Sequence, residues 1–273
     1  MGDQLAVVKS VMNGVFYVLD VRVDAVQIPD VLPQMERWIE DGSEGHYIAV
    51  TGMHGIMESR RDAYFKEVLA AADLVVPDGM PLVWLGRANN FPLQHRVSGP
   101  ELMEAFLQKT GDHYRHFLYG GAEGVADDLA RNMKTRFGSD VVGTYTPPFR
   151  PLVREEDDEV VETIRALKPD VVWVGLSTPK QERWIFEHRH RLGVPLMLGV
   201  GAAFDFHTGR VKRAPQWMRT RGLEWSYRLM KNPRRLWHRY LVYGSQFAFH
   251  ASVEVLKNKL RAASRVNASE LDS

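Results

Sequence analysis

The sequence predicts an α/β protein: a mostly parallel sheet with helices on both faces, followed by a helical, basic and aromatic C-terminal appendage. Three observations carry this. Short apolar runs rich in β-branched residues alternate with amphipathic stretches of about 10–15 residues, the rhythm of crossover units. Most of these runs end in clusters of Gly, Pro or Asp, the punctuation of strand ends. After Gly209 the strand signal stops and the charge changes sign. Residues 1–206 hold 21 Lys and Arg against 30 Asp and Glu; residues 207–239 hold 10 against one acid, Glu224.

Residues 1–14 are weakly patterned and read as a loose arm. Val15–Val23, VFYVLDVRV, reads as one strand. Asp30–Ile39 puts Val31, Met35, Trp38 and Ile39 on one helical side. His46–Thr51, HYIAVT, is a strand stopped by Gly52. Glu58–Ala72 reads as one helix leading into Leu74-Val75-Val76, a strand that ends abruptly in Pro77-Asp78-Gly79. Ser98 and Glu101 have capping-box spacing at the start of a helix that runs to about Lys109. Arg115–Tyr119 is a strand entering Gly120-Gly121-Ala122-Glu123-Gly124, and a helix follows to about Phe137. Asp140–Tyr145 is a strand, and Thr146–Arg154 is a proline-rich loop. Glu155–Leu167 is a helix whose acidic first turn suits its dipole. Asp170–Gly175, DVVWVG, reads as a buried strand. Ser177-Thr178-Pro179 opens another helix, and Pro195–Val200 is the last strand. About seven strands result. Residues 1–209 form the sheet domain, 210–260 the helical appendage and 261–273 a frayed tail.

Composition removes several function classes. Hydrophobic residues make up 45% and charged residues 25%, as in soluble globular domains. With no cysteine there is neither a disulfide framework nor a thiolate metal site. No basic segment precedes an apolar run at the N-terminus, so no secretion signal is expected. No run reaches the ~18 apolar residues of a spanning helix.

Ligands of open parallel sheets bind outside the carboxyl ends of the strands. Asp78 sits at such an end, between a φ-locked Pro77 and a permissive Gly79. It reads either as a ligand-facing carboxylate or as a turn residue capping the next helix. Thr51 ends a strand on the same edge and reads as a ligand contact or a cap. Gly120, Gly121 and Gly124 can offer backbone N–H groups to a phosphate, or serve tight packing alone. Asp140 precedes its strand instead of ending it, which disfavours a nicotinamide site. In Thr178-Pro179-Lys180-Gln181-Glu182, helical geometry allows at most one or two side chains to face a pocket. His54 has no second ligand at metal spacing, and Asp205 reads as a turn residue. Trp217, Trp225, Trp237 and Tyr240 interleave with arginines that match phosphate oxygens. An oligomer interface is the other reading of that segment.

Taken in order, ADLVVPDG, RVSGPEL, LYGGAEGVA, VGLSTPKQERWI, GVGAAFDFHTG, KRAPQWM and GLEWSYRLMKNPRRLWHRY resemble the WecG/TagA/CpsF family, bacterial glycosyltransferases of family 26. The resemblance covers roughly residues 15–243, and the PKQE and GLEW–YRL–PRR–RY blocks are its most specific parts. It implies a Rossmann-like fold. It also implies inverting, metal-independent transfer from a UDP-sugar to a sugar on a polyprenyl diphosphate, for cell-surface polysaccharide synthesis. Asp78 matches the family's general base, and Thr51 and Gln181 match its active-site Thr and PKQE Gln. Arg228, Arg235 and Arg239 match arginines that approach the lipid diphosphate, with Arg234 an alternative to Arg235. The resemblance implies no cofactor and no metal. It places the enzyme in the cytoplasm, peripherally on the inner face of the cell membrane, and leaves a homo-oligomer open. Met53 stands where many members carry Asn. The donor is therefore open among N-acetylmannosamine, N-acetylmannosaminuronic acid and glucose. A nucleic-acid-binding protein and a nucleotide-dependent oxidoreductase are the rival classes.

Overall fold

Strand side chains alternate between two faces, and here both faces are covered, so the strands are apolar throughout. The computed structural model describes residues 14–271, apart from the side chains of Arg235 and of residues 258–271; the expected arm at 1–14 lies, but for Gly14, outside the described residues. The strands are β1 (Val15–Val18), β2 (Val21–Asp24), β3 (His46–Thr51), β4 (Leu74–Pro77), β5 (Arg115–Gly120), β6 (Asp140–Tyr145), β7 (Val171–Gly175) and β8 (Leu196–Gly199). Six of them form one sheet in the order β4-β3-β8-β7-β5-β6, parallel at every pairing. The Rossmann-like α/β expectation is met.

Tyr47, Ala49, Phe117, Tyr119, Val172 and Val174 point into one layer of core, against Ile164, Trp184 and Ile185. Ile48, Val50, Leu118, Trp173 and Leu198 point into the other, against Met35, Phe106 and Leu129. The helices supplying those partners are α1 (Ile28–Glu40), α5 (Gly99–Thr110) and α6 (Val125–Phe137) on one face, with α7 (Arg154–Leu167) and α8 (Lys180–His188) on the other. On the latter face α2 (Met53–Ser59) and α3 (Ala63–Ala70) also pack; α4 (Met80–Ala88) follows β4.

Three expectations need correction. The stretch Val15–Val23 is not one sheet strand: β1 and β2 form a separate antiparallel hairpin, leaving six strands in the sheet. Its two turn residues, Leu19 and Asp20, both have positive φ, as a two-residue primed turn demands. Leucine there carries no turn signal. Its N–H donates to Glu254 at 2.9 Å, so the tip is fixed by a residue far along the chain. The expected helix Glu58–Ala72 is broken into α2 and α3, because Asp62 accepts from the Phe65 N–H and starts a new helix. Ser98 is the N-cap of α5 but makes no side-chain cap; its hydroxyl donates to Glu101 at 2.7 Å.

After β8 come α9 (Ala203–His207), α10 (Gln216–Thr220), α11 (Glu224–Lys231), α12 (Pro233–Trp237), a π-helical turn at His238–Val242, and α13 (Tyr243–Leu271). Phe247 and Ala251 of α13 are buried in the first core layer. Arg61 stacks on Tyr243 at 4.3 Å and donates to Gln246 at 2.8 Å. The first turns of α13 are thus packed on the sheet domain.

Candidate active site

Parallel strands deliver their carboxyl ends to one edge, where Asp78, Thr51, Gln181 and the glycine loop all lie. Register pairs Thr51 with Pro77, and the Asp78 N–H donates to the Thr51 carbonyl at 2.8 Å. A side chain at Gly52 would come within 2.4 Å of the Asp78 carbonyl, so glycine is what lets the two strand ends touch. Gly79, at φ 111, is the N-cap of α4, so Asp78 caps nothing. Its half-buried carboxylate accepts no hydrogen bond among the described residues. Burial raises its pKa above the usual carboxylate range; Arg96 and Arg228 oppose that, while Glu224 and Glu101 add to it.

Arg96 is a residue that the sequence reading passed over. The neighbouring Val97 N–H donates to the Pro77 carbonyl at 2.8 Å, which sets Arg96 beside Asp78. Its guanidinium pairs with Glu224, a buried acid at the start of α11. Glu101 holds both Arg213 and Arg219 at 3.0 Å. Two body residues, Arg96 and Glu101, therefore clasp three C-terminal ones. Arg96 and Glu101 lie in the RVSGPEL block and Glu224 in the GLEW block, but nothing in a linear pattern shows which charges will meet.

Arg228 and Arg239 come to the same place without an acid of their own. Neither forms an ion pair among the described residues; Arg228 lies over the Phe206 ring at 5.7 Å. Burial lowers the Arg239 pKa and Arg228 lowers it further, while Asp78 and Glu182 favour its charge. Two unneutralised guanidinium groups beside an open edge suit an anion such as a diphosphate. The backbone of Arg235 lies in α12; its side chain is outside the described residues. Arg234 is exposed.

Gln181 is buried and fully engaged: its amide donates to Glu182 at 2.9 Å and its carbonyl oxygen accepts from the Gly201 N–H at 3.0 Å. It fixes the loop after β8. Glu182 also accepts from the Thr178 hydroxyl at 2.8 Å, and its Oε2 has no partner among the described residues. Burial raises the Glu182 pKa. Thr51 is buried, and its hydroxyl has no hydrogen-bond partner among the described residues. Adjacent His54 is stacked on Tyr243 at 5.6 Å, and burial, aided by Arg239, brings its pKa down to about 4. It is therefore neutral at physiological pH.

The glycine loop is not brought to Asp78. Its strand stands four spacings from β4, about 19 Å at the usual separation. A side chain at Gly120 would fall within 2.8 Å of Gly175, and the Gly121 N–H already donates to the Gly175 carbonyl at 3.0 Å. Asp127 and Asp128 occupy the first turn of α6, with Arg210 bridging Asp128 and the Glu123 carbonyl. Close packing of backbone accounts for Gly120, and a positive φ of 78 with the Val125 and Phe204 side chains close by accounts for Gly121. Among the described residues no group of three His, Cys, Asp or Glu is placed to hold a metal.

The profile described as "Glycosyl transferase WecG/TagA/CpsF family" matches residues 16–264. A relative from Bacillus spizizenii, an N-acetylglucosaminyldiphosphoundecaprenol N-acetyl-beta-D-mannosaminyltransferase, is 31% identical over 79% of this chain and 82% of its own. A protein of the same description from Staphylococcus aureus is 28% identical over 80% of this chain and 85% of its own. The fold and these likenesses define a glycosyltransferase. The chain belongs to the WecG/TagA/CpsF family.

Proposed function

We propose that the protein transfers a sugar from a UDP-sugar to a sugar on a polyprenyl diphosphate, with inversion, using Asp78 as general base. The observation that carries this is an unpaired, recessed carboxylate facing two unneutralised arginines, Arg228 and Arg239. Asp78 takes the proton of the acceptor hydroxyl as that oxygen bonds to the anomeric carbon. The bond from that carbon to the β-phosphate oxygen breaks, and UDP leaves with the electron pair. Positioned donors that meet this developing charge lower the barrier without a metal. Arg228 and Arg239 hold the lipid diphosphate so that the acceptor sugar reaches Asp78; Arg235 belongs to the same strip by sequence. Thr51 offers its free hydroxyl to the donor, and Gln181 supports the loop. The glycine loop, through Gly124 and the start of α6, remains a candidate for the nucleotide, although acids in that turn disfavour it.

The activity of the two relatives supports N-acetylmannosamine as the sugar and a diphosphoundecaprenol-linked N-acetylglucosamine as the acceptor. Met53, close to Thr51, is where a different donor would be accommodated. Residues 1–209 act as the catalytic unit and 210–260 as the element that meets the inner face of the membrane. Exposed Trp217, Trp225, Met230, Trp237 and Leu241 support this, as interleaved aromatics and arginines suit an interface. No helix among the described residues is long and apolar enough to cross a membrane. A panel of UDP-sugars with a short-chain diphosphate-linked N-acetylglucosamine tests the reading. Transfer from UDP-N-acetylmannosamine that survives EDTA is expected. Failure with every UDP-sugar, or strict dependence on added manganese, would overturn it.

A further inference from the structure

The C-terminal segment sends one acid into the site among its many arginines. Glu224 is that residue, buried, at the start of α11, and the body cation it takes is Arg96. Arg96 is tethered beside Asp78 through the Val97–Pro77 backbone bond, yet among the described residues Asp78 makes no ion pair. An arginine next to a carboxylate normally pairs with it, and a paired carboxylate is a poor proton acceptor. Glu224 also keeps a second cation, Arg213, within 3.8 Å. That contact and the Glu101 ion pairs hold α10 and α11 on the body.

We propose that Glu224 is a positioning residue that engages Arg96 and so keeps Asp78 free of a direct ion pair, making the seated C-terminal segment a condition for base catalysis. The inference rests on the reading of Asp78 as the base. It gives α11 a role distinct from clamping phosphate: the segment that brings the acceptor also readies the group that deprotonates it.

The charged groups facing Asp78 are Arg96 from the loop before α5, Glu101 from α5, Glu224 and Arg228 from α11, and Arg239 from the π-helical turn. Removing the Glu224 charge releases Arg96 toward Asp78 and removes a repulsion, so the Asp78 proton is lost at lower pH. Removing the Arg96 charge acts in the opposite sense. Two measurements on the full chain test this: the pH profile of kcat/KM, and the titration of the Asp78 carboxyl by 13C NMR, assigned with Asp78→Asn. Glu224→Gln is expected to move both midpoints down by about one pH unit, and Arg96→Gln to move both up. A merely structural Glu224 would lower kcat at every pH and leave the midpoints in place, and that result overturns the proposal. If Glu224→Gln does not fold, Arg96→Gln still decides: a midpoint that stays or falls refutes the idea. The underlying base assignment fails separately, through an Asp78→Asn enzyme that keeps its turnover.

Discussion

The edge of the sheet and the C-terminal segment that lies against it handle charge in opposite ways. On the body, most arginines have an acid, among them Arg22 with Asp24, Arg96 with Glu224, Arg136 with Glu104 and Arg191 with Asp157 and Asp158. In the segment, Arg210 pairs with Asp128 and Arg213 and Arg219 with Glu101, whereas Arg221, Arg228, Arg234 and Arg239 have no ion pair among the described residues. Positional precision comes from the body, through backbone bonds such as Asp78 to Thr51 and a glycine at 52 that permits them. Unpaired positive charge comes from the segment. Under the proposed function, chemistry that must be exact sits on strand ends, and capture at a fluid surface falls to aromatic and basic helices.

The largest effect should follow from attacking the exact half. Asp78→Asn is expected to lower kcat by about 10²–10⁴-fold. Calorimetry should show UDP binding unchanged, because the variant keeps the shape of the turn. Near-normal turnover would move the base elsewhere and dissolve the contrast between the two regions.

A second test asks how separate the regions are. Phe247 is buried in the sheet domain's core although it belongs to α13. Phe247→Ala should therefore destabilise the whole chain by roughly 3–5 kcal/mol in a denaturant titration. A separate, earlier transition with the body intact would instead make the segment an autonomous unit.

How much of this arrangement the sequence revealed follows the same division. Strand ends were legible because Gly, Pro and Asp punctuate apolar runs, which is why Thr51, Asp78 and the alternation of strands with helices could be read directly. The hairpin was not, since Leu19 adopts positive φ for reasons that lie in tertiary contacts with Glu254. Arg96 and Glu224 are 128 positions apart, and their pairing is a property of docking that no local spacing encodes. Gln181 was legible as a site residue, but its amide proves occupied by Glu182 and Gly201, and the buried acid beside it carried no signal of its own. Gly120–Gly124 shows the converse failure: a phosphate-like pattern whose first glycine is accounted for by the approach of Gly175 and whose second by a positive φ with Val125 and Phe204 close by.

The capturing half should respond in smaller, additive steps. Each basic residue near an anionic surface adds on the order of 1 kcal/mol. Arg228→Gln and Arg239→Gln should each weaken binding to anionic vesicles about five-fold and raise KM for the lipid acceptor. Chloride should reproduce the loss in the unaltered protein. If the variants bound vesicles normally but lost affinity for an oligonucleotide at the same salt, the segment would be a nucleic-acid surface instead.

The smallest effect concerns the seam between the two halves. His54 lies under Tyr243 with Arg239 nearby, and its pKa is brought down from 6.5 to about 4. The folded state therefore holds His54 neutral, whereas the unfolded chain binds a proton once the pH drops below 6.5. Over that window the unfolded state carries more protons, so stability falls as the pH falls, and the loss is complete near pH 4. Above pH 6.5 both states are neutral and His54 contributes no pH dependence. Replacing it by Gln should leave stability at pH 7.5 nearly unchanged in slope and remove about 1 kcal/mol of the acid-induced loss at about pH 5.8. The buried His116 has its pKa pushed down to about 4 as well, so it supplies an acid sensitivity of the body that the His54 variant retains. Parallel stability curves for the two proteins between pH 7.5 and 5 would mean that His54 is hydrated in solution and that the segment does not close over it.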